Sequence, residues 1–155
     1  MGSLKSNPKL SLTDKEKAKL RKAKVKIGEI HALSVTELSK ILNISLEKAK
    51  EIKALAEFQT VPSIGSELAK KLVIYLNVYS LHEIRQEDGA QLFDKLEQRM
   101  GVWTDNCVED QIRCVINFAN DSKSDKQWFD FTNERKDYRK TFGYPKDRPQ
   151  RAWND

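Results

Sequence analysis

FQTVPSIGSELAKKL, at residues 58–72, predicts the end of one helix, a tight turn and the start of a second helix. Pro62 sets the direction of the chain, and Gly65 allows a close approach of the backbone because it has no Cβ. Apolar residues before, within and after the turn have the spacing of side chains that pack between neighbouring helices, and Ile64 fills the seam. The stretch therefore predicts a helical hairpin.

The turn also has the chemistry of an anion site. The first backbone N–H groups of a helix lack partners within the helix, and the helix dipole adds partial positive charge there. Such an end suits a phosphate, and Lys70 and Lys71 would add charge one turn onward. The alternative is an ordinary glycine-containing turn between helices. The predicted nucleic-acid contacts of this hairpin are Ser63, Ile64, Gly65, Ser66, Lys70 and Lys71.

A second copy lies 20 residues upstream, in LSKILNISLEKAKEI at residues 38–52. Every apolar anchor recurs at that interval, and Ala49 corresponds to Ala69. Asn43 and Ser45 occupy the two positions where the turn would carry glycine; Asn tolerates a left-handed backbone, and Ser is a good helix N-cap. We expect this copy to be mainly structural. Its weaker candidate contacts are Asn43, Ile44, Ser45 and Lys48.

The hairpin at residues 58–72 resembles the helix-hairpin-helix motif, and only Ser63, at the first glycine position, departs from the usual pattern. Two successive copies resemble the double helix-hairpin-helix domains of DNA repair and recombination proteins. That resemblance implies two hairpins that grip the backbones of a duplex across the minor groove. The predicted fold is all-α: a tandem helix-hairpin-helix (SAM-like helical) domain with additional C-terminal helices.

Positive charge is concentrated near the N-terminus. The formal net charge is +5 over 155 residues, yet residues 1–30 alone carry nine Lys or Arg against three Asp or Glu. This basic arm predicts contacts with phosphates, or else a solvated helix. Its candidate contacts are Lys19, Arg21, Lys22, Lys24 and Lys26.

Helix signals run along almost the whole chain. Capping boxes of the form S/T-x-x-E begin at Thr13, Ser34 and Ser80. Helices are expected at 14–26, 35–42, 46–57, 66–76, 81–86, 89–99, 106–120 and 125–141. The predicted organisation is a disordered tail at 1–12, a basic arm or helix at 13–30, the tandem hairpin domain at 31–121, and an aromatic and basic C-terminal helix and tail at 122–155, packed on that domain.

Catalytic and metal-binding patterns are weak. Cys107 and Cys114 would lie about 10.5 Å apart along one helix, too far for a disulfide, and neither has the spacing of a zinc ligand, so buried reduced thiols are expected. Asp105, Glu109 and Asp110 suggest Mg²⁺ ligands of a nuclease, but acidic residues in a first turn also favour the helix dipole. We predict no catalysis, no metal and no cofactor.

Aromatic and basic residues are interleaved from Lys126 onward. Such a pattern suits stacking on single-stranded nucleic acid. Trp128, Phe131 and Tyr138 nevertheless fall at helical spacing, so we expect these aromatics to dock against the domain.

Several segments resemble the bacterial pathogenicity-locus family of small helix-hairpin-helix proteins: EFQTVPSIGSELAKKL, YSLHEI, GVWTDNCVEDQIR and KQWFDFTNERKDYRKTFGYPKDRP. The resemblance runs from about Lys24 to Pro149. It implies a small all-helical DNA-binding protein of bacteria, of poorly defined role and without established catalysis, some of whose relatives carry a mitomycin-resistance label. Both cysteines match the family pattern, which leaves a role beyond packing open.

The sequence therefore predicts a non-catalytic cytoplasmic protein that binds the DNA backbone without sequence preference and is linked to DNA repair or damage resistance. No stretch approaches the roughly 20 apolar residues of a membrane span, so no membrane partner is expected. The alternatives are a protein–protein interaction module, with a protein partner or a second copy of the chain, and a metal-dependent nuclease. DNA versus RNA, and single-stranded versus duplex or branched, stay open.

Overall fold

The computed structural model describes residues 7–155, and no strand occurs among them. The α-helices are α1 (Asp14–Lys22), α2 (Val35–Leu42), α3 (Leu46–Phe58), α4 (Ser66–Ile74), α5 (Leu81–Ile84), α6 (Gly89–Met100), α7 (Asn106–Asn120) and α8 (Thr132–Phe142). Two 3₁₀ helices lie at Ile27–Ala32 and Trp128–Phe131. An isolated parallel bridge pairs Trp103 with Ala152. The prediction of an all-α protein is confirmed.

Helix starts follow the predicted capping residues. The Thr13 hydroxyl accepts from the Glu16 amide at 3.1 Å, and the Glu16 carboxylate accepts from the Thr13 amide at 2.9 Å, which completes a capping box. Ser34 and Ser80 accept from the amides three residues on, at 3.0 and 3.1 Å. α2 and α7 have the predicted bounds, while α4 ends two residues earlier than expected.

The helix of the basic arm is shorter than predicted: the sequence predicts a helix at 14–26, and the structure has α1 at Asp14–Lys22. α1 ends at Lys22 because Lys24 adopts a left-handed backbone, with φ of 58°, and the Val25 amide donates to the Leu20 carbonyl at 2.9 Å. This bond spans the end of the helix and closes it. The chain then forms the 3₁₀ helix at Ile27–Ala32, which the sequence analysis did not predict.

Two apolar cores share α3. The first core contains Leu20, Ile30, Leu38, Leu42, Ala49, Ile52 and Ala56. The second core is larger, and α3 contributes Ala54 and Phe58 to it, together with side chains from α4, α6 and α7. Side chains at positions 49 and 56 lie on the face of α3 opposite to those at 54 and 58, at 3.6 residues per turn. The helix is therefore buried on both sides.

The N-terminal residues pack on the first core. Leu10 and Leu12 are partly buried against it, and Leu20 of α1 is part of it. The side chain of Gln59 bonds to both backbone groups of Lys9, accepting from its amide at 2.9 Å and donating to its carbonyl at 3.1 Å. Residues 7–12 thus differ from the disordered tail that the sequence predicts for 1–12. Residues 1–6 lie outside the described range.

Three carboxylates are buried in the second half of the chain and each meets an arginine. Glu97, Glu109 and Asp110 are at most 1% exposed. The pairs are Arg148 with Glu97 at 2.7 Å, Arg139 with Glu109 at 3.0 Å, and Arg135 with Asp110 at 2.7 Å. The C-terminal segment therefore docks through arginines as well as through Phe131, which is buried as its spacing predicts.

Two opposing effects, burial and the neighbouring arginines, act on the pKa of Glu109. Burial raises the pKa of Glu109, whereas hydrogen bonds and charge from Arg113 and Arg139 lower it. Arg113 donates to Glu109 at 3.0 Å, and Arg139 also bonds to Asp94 at 2.9 Å. Removing an arginine from such a site leaves an ionised carboxylate in an apolar environment, which is costly.

We expect Arg148→Ala to lower the free energy of unfolding by roughly 3 kcal/mol, the lower end of the range for a broken buried ion pair, since Arg148 itself keeps some solvent exposure. The free energy of unfolding of Arg148→Lys should lie between those of the natural protein and Arg148→Ala, because lysine keeps the charge but loses the two-point contact with Glu97. Urea denaturation is the measurement, with the exposed Lys146→Ala as control. A change below about 0.5 kcal/mol for Arg148→Ala would contradict this account.

Candidate nucleic-acid interface

The α3–α4 turn has the geometry that the sequence predicts for it. Ile64 is buried at its centre, whereas Ser63 and Gly65 are exposed on either side. Gly65 is the N-cap of α4, and no described side chain bonds to the first amides of that helix as a cap. The turn thus presents an uncapped helix N-terminus to solvent.

The upstream turn repeats this backbone conformation 20 residues earlier. Asn43 and Ser63 are both left-handed, with φ of 56° and 64°, and Ser45 and Gly65 are both N-caps. The two turns differ at the cap: the Ser45 hydroxyl accepts from the Lys48 amide at 3.1 Å. The upstream helix end is therefore already occupied by its own side chain, and it is the α3–α4 turn whose amides remain open to a ligand.

Ser63 has a structural partner that its sequence context does not indicate. Its hydroxyl accepts from the Trp128 amide at 2.9 Å, across 65 residues. The predicted helix at 125–141 starts instead with the 3₁₀ helix at Trp128–Phe131, and the bond to Ser63 satisfies the amide of its first residue. The hydroxyl keeps its own proton, so Ser63 can still donate to a ligand.

Cys114 lies behind the same turn. It is buried, and its thiol is 3.5 Å from the Lys126 carbonyl and 3.9 Å from the Pro62 carbonyl. Cys107 is partly buried, and burial raises the pKa of its thiol. The burial of Cys114 agrees with the packed thiol that the sequence predicts, whereas Cys107 is only partly buried.

Lys70, a predicted contact of the second hairpin, lies close to predicted contacts of the first hairpin. With Ser45, Lys48 and Lys50 it lines a cleft of about 860 Å³, which we call the lysine cleft. Glu47 and Glu51 also line this cleft and reduce its net charge. Lys70 is 3.9 Å from Glu67, an exposed pair that contributes little stability and leaves the ammonium available. Lys71 is half-buried.

Gly65 and Ser66 line a separate cleft of about 330 Å³, which we call the turn cleft. Residues 7–9 form part of its rim, and Glu67 and Gln111 also line it. Residues Leu10 and Ser11 continue along the lysine cleft. The N-terminal segment thus passes both clefts.

The basic arm divides into structural and free cations. The Lys19 ammonium donates to the Leu42 carbonyl at 3.1 Å and so satisfies the C-terminal end of α2. Arg21, Lys24 and Lys26 line a third cleft together with Lys17, and Lys22 is exposed. Of the predicted arm contacts, Lys19 is therefore the one with a defined structural role.

The candidate nuclease carboxylates have other partners. Glu109 and Asp110 are buried and paired with arginines, while Asp105 is the exposed N-cap of α7. Within residues 7–155, no three His, Cys, Asp or Glu side chains come together as a metal site would need. No helix in that range combines the length and the apolar character that crossing a bilayer requires.

Two substitutions separate the strain at Ser63 from its hydrogen bond. Ser63→Ala keeps the left-handed backbone and loses the bond to Trp128, so we expect it to destabilise the protein by about 1–2 kcal/mol. Ser63→Gly also loses the bond but relieves the backbone strain, so it should be about 1 kcal/mol more stable than Ser63→Ala. Chemical denaturation measures both; a less stable glycine variant would contradict the assignment.

Comparison with known proteins gives one match. A family model described as "Pathogenicity locus" matches residues 51–137, which is more than half of the chain. The matched range begins within α3, includes the whole α3–α4 turn, and ends within α8. No curated protein and no solved structure matches the chain.

Proposed function

This chain belongs to the pathogenicity-locus family, and from that premise we propose that it binds DNA through the α3–α4 turn without sequence preference. The two turns that flank α3 then form a tandem helix-hairpin-helix. The proposal is of a non-catalytic protein of the bacterial cytoplasm, linked to DNA repair or damage resistance.

Gly65 is the observation that carries the proposal. Its φ of −106° is open to any residue. Apart from its chain neighbours, no atom of residues 7–155 lies within 4 Å of the place where a Cβ would stand. Neither backbone conformation nor internal packing requires glycine there. The missing side chain leaves the backbone of the turn open to a ligand that approaches closely, and a phosphate suits this position because the α4 amides and dipole favour an anion.

The nearby charges favour a polymer of phosphates over a single small anion. Lys70 lines the lysine cleft together with Lys48 and Lys50. These lysines are on α4 and α3, the two helices that the turn connects. Backbone amides and lysines contact phosphate oxygens, which carry no base sequence. Binding by such groups is therefore independent of base sequence. It also weakens as the salt concentration rises, because the release of counterions from the DNA then contributes less entropy.

Gly65→Ser tests the turn directly. The serine makes position 65 equivalent to Ser45, whose hydroxyl caps α3, so the variant should be as stable as the natural protein or more stable by roughly 0.3 kcal/mol. Its affinity for DNA should fall at least about tenfold because the side chain occupies the amides that we assign to phosphate. Fluorescence anisotropy with labelled duplex, single-stranded and branched DNA measures binding. Unchanged affinity in a folded Gly65→Ser protein would refute the proposed site.

The same titration across salt concentrations tests the lysines. Each phosphate contact contributes about 0.9 to the slope of log K against log salt for duplex DNA. Lys70→Ala with Lys71→Ala should reduce that slope by roughly 1, mainly through Lys70, which is the exposed member of the pair. Lys136→Ala with Lys140→Ala, on the exposed surface of α8, is the matched control and should leave the slope unchanged. Natural protein whose binding is insensitive to salt would exclude a phosphate-directed mode.

A protein–protein function is a second candidate because two large apolar side chains are exposed at one end of the hairpin. Leu46 at the start of α3 is 58% exposed, and Ile74 at the end of α4 is 59% exposed. Ile74 lines the lysine cleft together with Ser45 and Glu47, the two neighbours of Leu46, so the two helix ends lie near each other. The buried centre of a protein interface is more apolar than the rest of the surface. A second copy of the chain is the partner that this candidate names.

Leu46→Glu with Ile74→Glu tests self-association. If the hairpin ends meet across a dimer, the natural protein should have twice the 17.9 kDa mass of one chain, and the variant should return to the monomer mass. Light scattering after size exclusion gives the masses. A natural protein that stays monomeric at about 100 μM, a concentration well above the Kd of a specific dimer, would exclude this candidate.

A further inference from the structure

The cations at the end of α1 converge on one surface cleft. Lys17, Arg21, Lys24 and Lys26 line it over an apolar floor that includes Leu20, and its volume is about 590 Å³. We call it the arm cleft. Its lining contains no acidic residue, and none of the four cations forms an ion pair with a described residue. Among the described residues, the cleft therefore concentrates four positive charges that no ion pair neutralises directly.

The backbone around α1 brings these charges together. Lys17 and Arg21 are four residues apart on one helix face, where like charges repel and lower helix stability. The left-handed Lys24 then reverses the chain, and the bond from the Val25 amide to Leu20 holds that reversal. Lys24 and Lys26 consequently return to the face that Lys17 and Arg21 occupy. A bound polyanion would offset the repulsion.

Asn7 connects the arm cleft to the turn cleft. The residue lines both clefts, and its Oδ1 lies 3.4 Å from where a Cβ on Gly28 would stand. The two bonds between Lys9 and Gln59 hold this segment beside the turn. The two clefts are thus neighbours that share one polar side chain at their boundary.

We propose that a single DNA backbone runs from the turn cleft, over Asn7, into the arm cleft, so that consecutive phosphates meet first the α4 amides and then the four cations. This inference rests on the proposed function and names the path of the ligand. A strand of phosphates suits the surface because its charges repeat along the strand, so that one strand can reach both clefts, which share Asn7 in their linings. Lys19, which caps α2, lies outside this path.

Charge removal from the arm cleft is the first test. The full chain carrying Lys17→Ala, Arg21→Ala, Lys24→Ala and Lys26→Ala should lose about 3.6 from the slope of log K against log salt, at about 0.9 for each of four phosphate contacts. The matched control removes four exposed cations elsewhere, by Lys123→Ala, Lys136→Ala, Lys140→Ala and Lys146→Ala. It should retain the natural slope. Circular dichroism establishes that both proteins are folded.

Asn7→Asp is the second test, because it places a negative charge where the two clefts meet. The backbone path predicts at least a fivefold loss of affinity for duplex DNA. Asn133→Asp makes the same charge change on exposed α8, in a first turn that tolerates acidic residues. It should bind DNA as the natural protein does.

The outcomes separate this inference from the proposed function. If the natural protein binds no DNA, both are overturned. If Gly65→Ser weakens binding while the arm-cleft variant keeps the natural salt slope, the proposed function stands and the path over Asn7 is wrong. Equal slopes for the arm-cleft variant and its control, or equal affinities for Asn7→Asp and Asn133→Asp, overturn the path as well. A reduced slope in the arm-cleft variant together with weak binding by Asn7→Asp supports it.

Discussion

Burial of α3 on two opposite faces is the constraint on which the rest of the structure depends. Ala49 and Ala56 face the first core, and Ala54 and Phe58 face the second. Alanine on both faces lets neighbouring helices approach closely. The turn that leaves α3 is therefore anchored from both sides, and a bond to Trp128 holds it from outside the hairpin. A loop held in this way presents its backbone amides in a fixed direction, as a preorganised ligand site needs.

The structure divides its ionic side chains by function. Arginines near the C-terminus neutralise buried carboxylates, and two of them, Arg139 and Arg148, also lie 4.2 and 3.9 Å from the ring centre of Tyr144. These cations hold the C-terminal segment against the core, so a sequence that looks basic adds little to the accessible positive field. The cations of the N-terminal arm have few internal partners among the described residues. The accessible positive charge is thus more concentrated at the N-terminal arm than the formal net charge of the whole chain suggests.

Local rules predicted much of this structure because helix ends depend on nearby residues. Ser34 and Ser45 cap helices that begin where their sequence motifs place them, and the 20-residue repeat is visible in the left-handed residues of both turns. Contacts between distant residues were the part that sequence could not supply. The carboxylate of Glu97 lies on an otherwise apolar helix face, which is a signal of an internal partner, but nothing in the sequence identifies that partner as Arg148, 51 residues away. The bond between Ser63 and Trp128 left no local signal.

The start of the family match and the start of the packed structure are different positions in this chain, because α3 belongs to both cores. The family match begins at residue 51, inside α3, and leaves out the N-terminal half of that helix with the core beneath it. A fragment cut at this boundary would expose Ile52 and Ala56 to water and would lose the helices that cover them. The matched stretch is therefore shorter than the packed structure of this chain, in which α1 and α2 cover one face of α3. A fragment of this chain that keeps both faces of α3 covered would therefore begin ahead of α1.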